Sequence, residues 1–185
     1  MTEEKFQQLI AKRIDWLCED PVYHAINENF GRLIFRRSSL LNDLHGFIKQ
    51  NKIGGKCCFE IGTFRGLTAV LFSRYFDEVH TIEIYPDPKT REIIEFTGIK
   101  NIHIYEGDNK LKAELAERLD FDFCYMDGNH NKETPMDWEL VKKCGRVLFH
   151  EYWPKQPPVY GLVNSLPENE VVKNEADCFA LWTKK

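Results

Sequence analysis

From residue 56 onward, short apolar runs alternate with longer stretches whose apolar residues recur at helical spacing, and this alternation constrains the fold more than any other feature. The runs Cys57–Ile61, Val79–Ile84, Ile102–Tyr105, Phe121–Met126 and Val147–Phe149 read as strands, and Gly66–Phe76, Pro88–Thr97, Lys110–Leu119 and Glu133–Cys144 between them as helices. Helix-length connections between short buried strands are the sequence form of right-handed crossovers, so the sheet is parallel and covered on both faces. The tail breaks this pattern. Val171–Lys173 and Cys178–Thr183 are strand-like but joined only by Asn-Glu-Ala-Asp, a link too short for a crossover, which demands an antiparallel hairpin. The expected fold class is α/β: a three-layer sandwich around a mostly parallel sheet of about seven strands with a C-terminal antiparallel hairpin.

Ahead of this core lies a helical preface, residues 1–55. Phe6, Leu9, Ile10, Ile14 and Leu17 share one helical face, and Asp20-Pro21 interrupts it. A second helix carries Leu40, Leu41, Leu44, Phe47 and Ile48, with Ser38 or Ser39 as its N-cap and the Gly54-Gly55 pair as its stop. No linker separates preface from core, so residues 1–185 read as one domain, with 56–185 as the ligand-binding core and the preface packing on it or covering a pocket.

A net charge of −4 gives no electrostatic reason to expect nucleic acid as a partner, and Arg32, Arg36 and Arg37 read as solvated or paired on a balanced surface. No run approaches the roughly twenty apolar residues of a membrane helix, and the amino terminus lacks a signal-peptide pattern. The six cysteines lie mostly in apolar contexts with no C-x-x-C pair, which suits reduced, buried thiols in a cytoplasmic protein. Nothing in the sequence sets the oligomeric state.

Ligands of open parallel sheets sit beyond the carboxyl ends of the strands. Those ends carry Glu60, Gly62 and Gly66 after the first strand and Glu83 after the second. Gly107-Asp108-Asn109, Asp127-Gly128-Asn129-His130 and His150-Glu151-Tyr152 follow the third, fourth and fifth. Glycine in the first turn tolerates positive φ and allows close backbone approach. Glu83, about twenty residues past that turn, can accept hydrogen bonds from both hydroxyls of a ribose. A dinucleotide turn would use G-x-G-x-x-G to bring backbone N–H groups onto a pyrophosphate. Here Glu60-Ile-Gly-Thr-Phe-Arg-Gly66 lacks the middle glycine and adds a carboxylate, which suits a ligand with an ammonium and a sulfonium.

These motifs resemble those of class I S-adenosylmethionine-dependent methyltransferases, in particular a subgroup with Glu-x-Gly-(Thr/Ser)-x-x-Gly, Asp-Gly-x-His and His-Asp-Tyr-type signatures, matched by Glu60–Gly66, Asp127–His130 and His150-Glu151-Tyr152. The resemblance covers about two thirds of the chain. It implies the Rossmann-like methyltransferase fold, S-adenosylmethionine as cofactor, and methyl transfer to a small-molecule acceptor, with oxygen as the methylated atom. It also implies that Glu60, Gly62, Thr63, Phe64 and Gly66 border the methionine part of the cofactor, Glu83 binds the ribose, Asp108 and Asn109 flank the adenine with Ile84 as an apolar wall, and Asp127 joins the cofactor site. Asp108 is equally read as an N-cap.

Asp127 and His130 are the catalytic candidates: a histidine can take the acceptor's proton and a carboxylate can orient it. His130 is alternatively a loop residue, and His150 is a second candidate base. Some related enzymes bind Mg²⁺ with an acidic pair and an amide, but Tyr152 stands where the amide would be, and no metal is expected. Tyr152, Trp153 and Tyr160 either stack on an acceptor or fill a loop core. Two other functional classes fit the same edge: an adenosyl-binding module without catalysis, and a nucleotide-dependent oxidoreductase or hydroxylase-like relative on a related sheet.

Overall fold

The computed structural model describes residues 20–30, 38–85, 87–129, 133–174 and 177–185. The helix expected over 3–18, Arg32, Arg36, Arg37 and His130 lie outside the described residues. The elements run α1 (Pro21–Phe30), α2 (Ser38–Gln50), β1 (Gly55–Ile61), α3 (Leu67–Phe72), β2 (Phe76–Glu83), α4 (Lys89–Thr97), β3 (Ile102–Glu106), α5 (Asn109–Arg118), β4 (Phe123–Met126), α6 (Thr134–Val141), β5 (Arg146–Phe149), α7 (Pro157–Ser165), a 3₁₀ turn (Glu168–Glu170), β6 (Val171–Asn174) and β7 (Phe179–Thr183).

The seven strands form one sheet in the order β3-β2-β1-β4-β5-β7-β6. β1 to β5 pair in parallel, whereas β7 runs antiparallel to β5 and to β6, so the tail is the expected hairpin. Because side chains alternate along a strand, each strand feeds two cores. Cys58, Val79, Phe123 and Tyr125 face Tyr23, Ile26, Leu41, Leu44, Phe47, Val70 and Ile93 of α1 to α4. Phe59, Ile61, Cys124 and Met126 face Leu115, Ala116, Val141, Val159 and Val163 of α5 to α7. This is the α/β three-layer arrangement expected. The described part of the preface packs on the core: the Tyr23 hydroxyl donates to the carbonyl of Leu67 at 2.8 Å. The five described cysteines are free, and Cys57, Cys58, Cys124 and Cys144 are buried. Among the described residues no helix is long and apolar enough to cross a membrane.

Local detail refines these readings, and two of them change. Asp20-Pro21 begins α1: the Asp20 carboxylate accepts from the N–H groups of Val22 and Tyr23 at 3.1 and 3.3 Å, with Pro at the first helical position, where its missing N–H costs nothing. Ser38 and Ser39 are the first two residues of α2. α2 ends at Gln50, and the left-handed turn after it is made by Lys52, φ 50°, with Ile53 N–H donating back to Ile48 at 2.9 Å, and not by the glycine pair. The helix expected over Gly66–Phe76 ends at Phe72, and Phe76 opens β2.

Candidate functional site

The parallel ladder continues one residue beyond each strand and fixes the carboxyl edge. Gly62 N–H donates to Ile82, Asp127 N–H to Ile61, His150 N–H to Met126 and Gly107 N–H to Glu83, at 2.9 to 3.1 Å. Between these ends opens a cleft of about 370 Å³, within the usual range for small-molecule sites. Gly62, Phe64, Glu83, Ile84 and Asp127, all singled out in the sequence, line it, as do His150 and Glu151.

The glycines of the first turn are required by protein, not by an approaching ligand. Gly62 has φ 99°, and a Cβ there would stand 2.2 Å from the Asp127 carbonyl oxygen, because the ends of β1 and β4 are pressed together. At Gly66, φ 75°, a Cβ would meet Ile94 at 2.6 Å. Phe64 also adopts positive φ, 45°, without being glycine. Such a backbone costs of order 1–3 kcal/mol and persists only when its surroundings hold it. Here the Phe64 N–H donates to Glu83 Oε2 at 2.8 Å and its carbonyl accepts from the Thr90 hydroxyl.

Glu83, the last residue of β2, receives a second backbone bond at its other oxygen, from Tyr85 N–H at 3.0 Å. Both oxygens are thereby aimed at the cleft rim, each with acceptor capacity left. Glu60 is placed differently. It lies on the α3 face of β1, fully buried, and accepts from the hydroxyls of Thr68 and, at 2.6 Å, Thr81; Thr81 in turn pairs with Thr63 at 2.5 Å. Burial pushes its carboxyl up to about 8, with the Asp127 and Glu83 carboxylates adding to the rise and the two threonine hydroxyls opposing it. Glu60 is therefore a mostly protonated support beneath the turn and does not line the cleft. Thr63 is also buried and faces a small adjoining cavity bordered by Leu40 and Leu41 of α2.

Asp127 and His150 come together: Asp127 Oδ1 lies 2.5 Å from His150 Nδ1, and the Tyr125 hydroxyl stands 3.5 Å from Oδ2. With the proton on Nδ1, the carboxylate fixes the tautomer and turns Nε2 into the basic nitrogen. Asp108 and Asn109 are exposed and do not line the cleft. Asp108 caps α5, its Oδ1 accepting from the N–H groups of Lys110 and Leu111 at 3.0 Å. Gly66, too, stands outside the lining, at the start of α3. Tyr152 is core: it is buried, stacks on Tyr160 at 5.2 Å and donates to Asn164 Oδ1 at 3.1 Å, so it faces neither an acceptor nor a metal.

Sequence reasoning missed Lys112. Its side chain lines the cleft yet is nearly inaccessible, paired with Asp137 and, at 3.8 Å, with Glu133. A buried ammonium is tolerable only with such partners. The signal was available, since residues 112, 115 and 116 share the apolar face of α5. Glu83, Asp127, Glu133 and Glu151 against Lys112 leave the cleft acidic, the surroundings that attract a cation.

No family model matches the chain. A curated relative, the protein-L-isoaspartate O-methyltransferase of Anaeromyxobacter dehalogenans (strain 2CP-1 / ATCC BAA-258), is 35% identical over 72 residues, covering 36% of this chain and 34% of that protein. The match thus spans about a third of that relative's length. Similar solved structures include a candidate caffeoyl-CoA O-methyltransferase from Staphylococcus aureus (TM-score 0.61, 18% identity, 78% of this chain and 82% of that one). The Podospora anserina methyltransferase PaMTH1 with SAH bound is similar over 100% of this chain and 97% of its own (TM-score 0.59, 16% identity). An rRNA methylase from Streptococcus thermophilus is similar over 78% of this chain and 95% of its own (TM-score 0.60, 13% identity). The sheet is therefore the Rossmann-like methyltransferase sheet. The neighbours' acceptors differ, as sites grafted on one fold do.

Proposed function

We propose that this chain transfers a methyl group from S-adenosylmethionine to an oxygen of a small-molecule acceptor. One observation carries the reading: the Asp127–His150 pair and the bracketed Glu83 carboxylate open into the same acidic cleft at the carboxyl edge of the sheet. The donor set fits such a cofactor. Glu83 offers one acceptor to each ribose hydroxyl, Ile84 an apolar wall, and Phe64 with the turn from Gly62 to Gly66 the border of the methionine end. The acidic lining favours a sulfonium and an ammonium. It disfavours a pyrophosphate, for which the Phe64 N–H, already given to Glu83, is no donor.

When bound, the cofactor would supply a sulfonium-activated methyl for the acceptor oxygen, with the electron pair of the carbon–sulfur bond left on sulfur. The chain supplies position and proton transfer. His150 Nε2 takes the acceptor's proton, while Asp127 holds Nδ1–H and stabilises the imidazolium that forms. In this reading Asp127 acts as a catalytic residue through His150, the nearest described imidazole to its carboxylate.

Thermal melting with S-adenosylmethionine, S-adenosylhomocysteine and NAD tests the cofactor. The first two should stabilise the chain, by about 2.7 kcal/mol at a hundredfold excess over Kd, and NAD should not; an NAD-only shift would overturn the reading. With methyl-labelled cofactor, label should leave in small soluble products; label in precipitated protein or RNA would refute a small-molecule acceptor. His150→Gln should cut turnover by about 10²–10⁴ with cofactor affinity nearly unchanged.

A further inference from the structure

On the α5 face of the sheet, away from the cleft, Glu78 and His80 of β2 and His103 of the edge strand β3 bring three ligand-type side chains together. Residues 78 and 80 share that face because they are two apart on one strand, and His80 stands directly beside His103 in the parallel register. The structure assigns them, we propose, to a divalent transition-metal site of the zinc class, with His80, His103 and Glu78 as ligands.

The donor atoms of the three all lie within 4.8 Å of one another. His80 Nε2 and Glu78 Oε2 are 3.2 Å apart, close to the spacing of about 3.3 Å that two ligands adopt around tetrahedral zinc. The imidazoles of His80 and His103 lie nearly parallel, with centroids 4.6 Å apart. His103 and Glu78 are exposed, so their side chains are free to close the remaining distance, whereas His80 is buried and fixed. What fixes it is Tyr105, whose hydroxyl lies 3.0 Å from Nδ1. A partner on the far ring nitrogen is the outer-shell contact that orients a metal-bound histidine and directs Nε2 at the ion. Two imidazoles and one carboxylate suit Zn²⁺, or Cu²⁺ and Ni²⁺ at higher intrinsic affinity, and not Mg²⁺. Three protein ligands leave a fourth position for water. A metal here would clamp β3, which among the described residues has a neighbouring strand on one side only, to β2.

Calorimetric titration of the full chain with ZnCl₂ should give one site per chain, and MgCl₂ none. Titration with CoCl₂ should produce the intense visible bands of a low-symmetry four-coordinate ion, without the near-ultraviolet thiolate charge-transfer band that cysteine ligation would add. His103→Ala and Glu78→Gln remove exposed groups and leave the core intact, which His80→Ala would not. His103→Ala should weaken zinc binding by at least about a hundredfold and Glu78→Gln by at least about tenfold, since a direct ligand counts for no less than an outer-shell partner, whose loss typically costs 10–100-fold. Zinc should also raise the melting temperature of the parent chain and not that of His103→Ala. Absence of stoichiometric zinc binding, a thiolate band, or affinity unchanged from the parent in both variants would each overturn the assignment.

Discussion

Glu60 and Glu83 close neighbouring strands, carry the same side chain, and live in opposite surroundings. Glu60 points along the α3 face of β1 into a site sealed by Thr68 and Thr81, and its carboxyl is held mostly protonated at neutral pH. Glu83 ends its strand at the cleft, each oxygen pinned by one backbone N–H. Proximity in sequence to a ligand-binding turn therefore does not make an acid a ligand contact. The two acids share strand parity, since Glu60 pairs with Thr81 two residues before Glu83, so it is distance from the strand end that decides whether water or a ligand reaches each of them. The negative charge offered to a cation comes from Glu83, Asp127 and the other acids that line the cleft, and not from Glu60.

The largest effects test the burial of Glu60. At about pH 6, Glu60→Ala should cost about 2–4 kcal/mol of unfolding free energy in urea, because it opens a cavity and strands two threonine hydroxyls. Glu83→Ala should cost less than about 1 kcal/mol in the same assay. Equal losses would erase the contrast between the two acids.

The titration of Glu60 gives the next effect. Its folded value of about 8 lies above its ordinary value of 4.5, so the native state holds a proton that the unfolded chain releases. The stability this proton confers is fully present below about pH 4.5 and is lost as pH rises through about 8. Relative to Glu60→Gln, which cannot ionise, the parent chain should lose roughly 3 kcal/mol between pH 5 and 8, at up to about 1.4 kcal/mol per unit. Parallel stability curves for the two proteins would mean that Glu60 is charged in the fold.

Affinity reverses the ranking. Glu83→Ala should weaken S-adenosylmethionine about 10–100-fold, the loss of hydrogen bonds between a charged acceptor and two hydroxyls, worth about 1.5–3 kcal/mol. Glu60→Gln should leave that affinity within about threefold. Calorimetry on both variants decides which acid the ribose meets, and an unchanged Glu83→Ala would remove that residue from the site.

These contrasts mark what the sequence could tell. The five parallel strands were legible because short, largely apolar runs alternate with helix-length connections, and the hairpin because its link is short. Boundaries failed where two periods coincide. Phe72 and Phe76 are four apart, a helical spacing, yet the turn at 73–75 carries neither Gly nor Pro to announce the change to β2. Pro157-Pro158 hid α7, although proline is welcome in a first helical turn. Glu83 and Asp127 were legible from their places after strands. The pairing of Asp127 with His150, 23 residues on, depends on β4 and β5 being neighbours in the sheet and not on any local pattern.

The smallest effect concerns Asp108, where the cap and ligand readings make separable demands. As the N-cap of α5, it satisfies two backbone donors that the helix itself cannot. Asp108→Ala should therefore cost about 1 kcal/mol, and Asp108→Asn almost nothing, because asparagine caps as well as aspartate. If Asp108 also reaches the adenine side of a bound cofactor, Asp108→Ala should weaken S-adenosylmethionine by more than the few-fold that a loosened loop explains. Its position outside the cleft lining predicts the smaller change, well below that of Glu83→Ala. Stability and affinity measured on the two Asp108 variants together make the test: an affinity loss in Asp108→Asn, whose cap is intact, would assign the carboxylate to the ligand, and an affinity loss confined to Asp108→Ala would trace it to the helix.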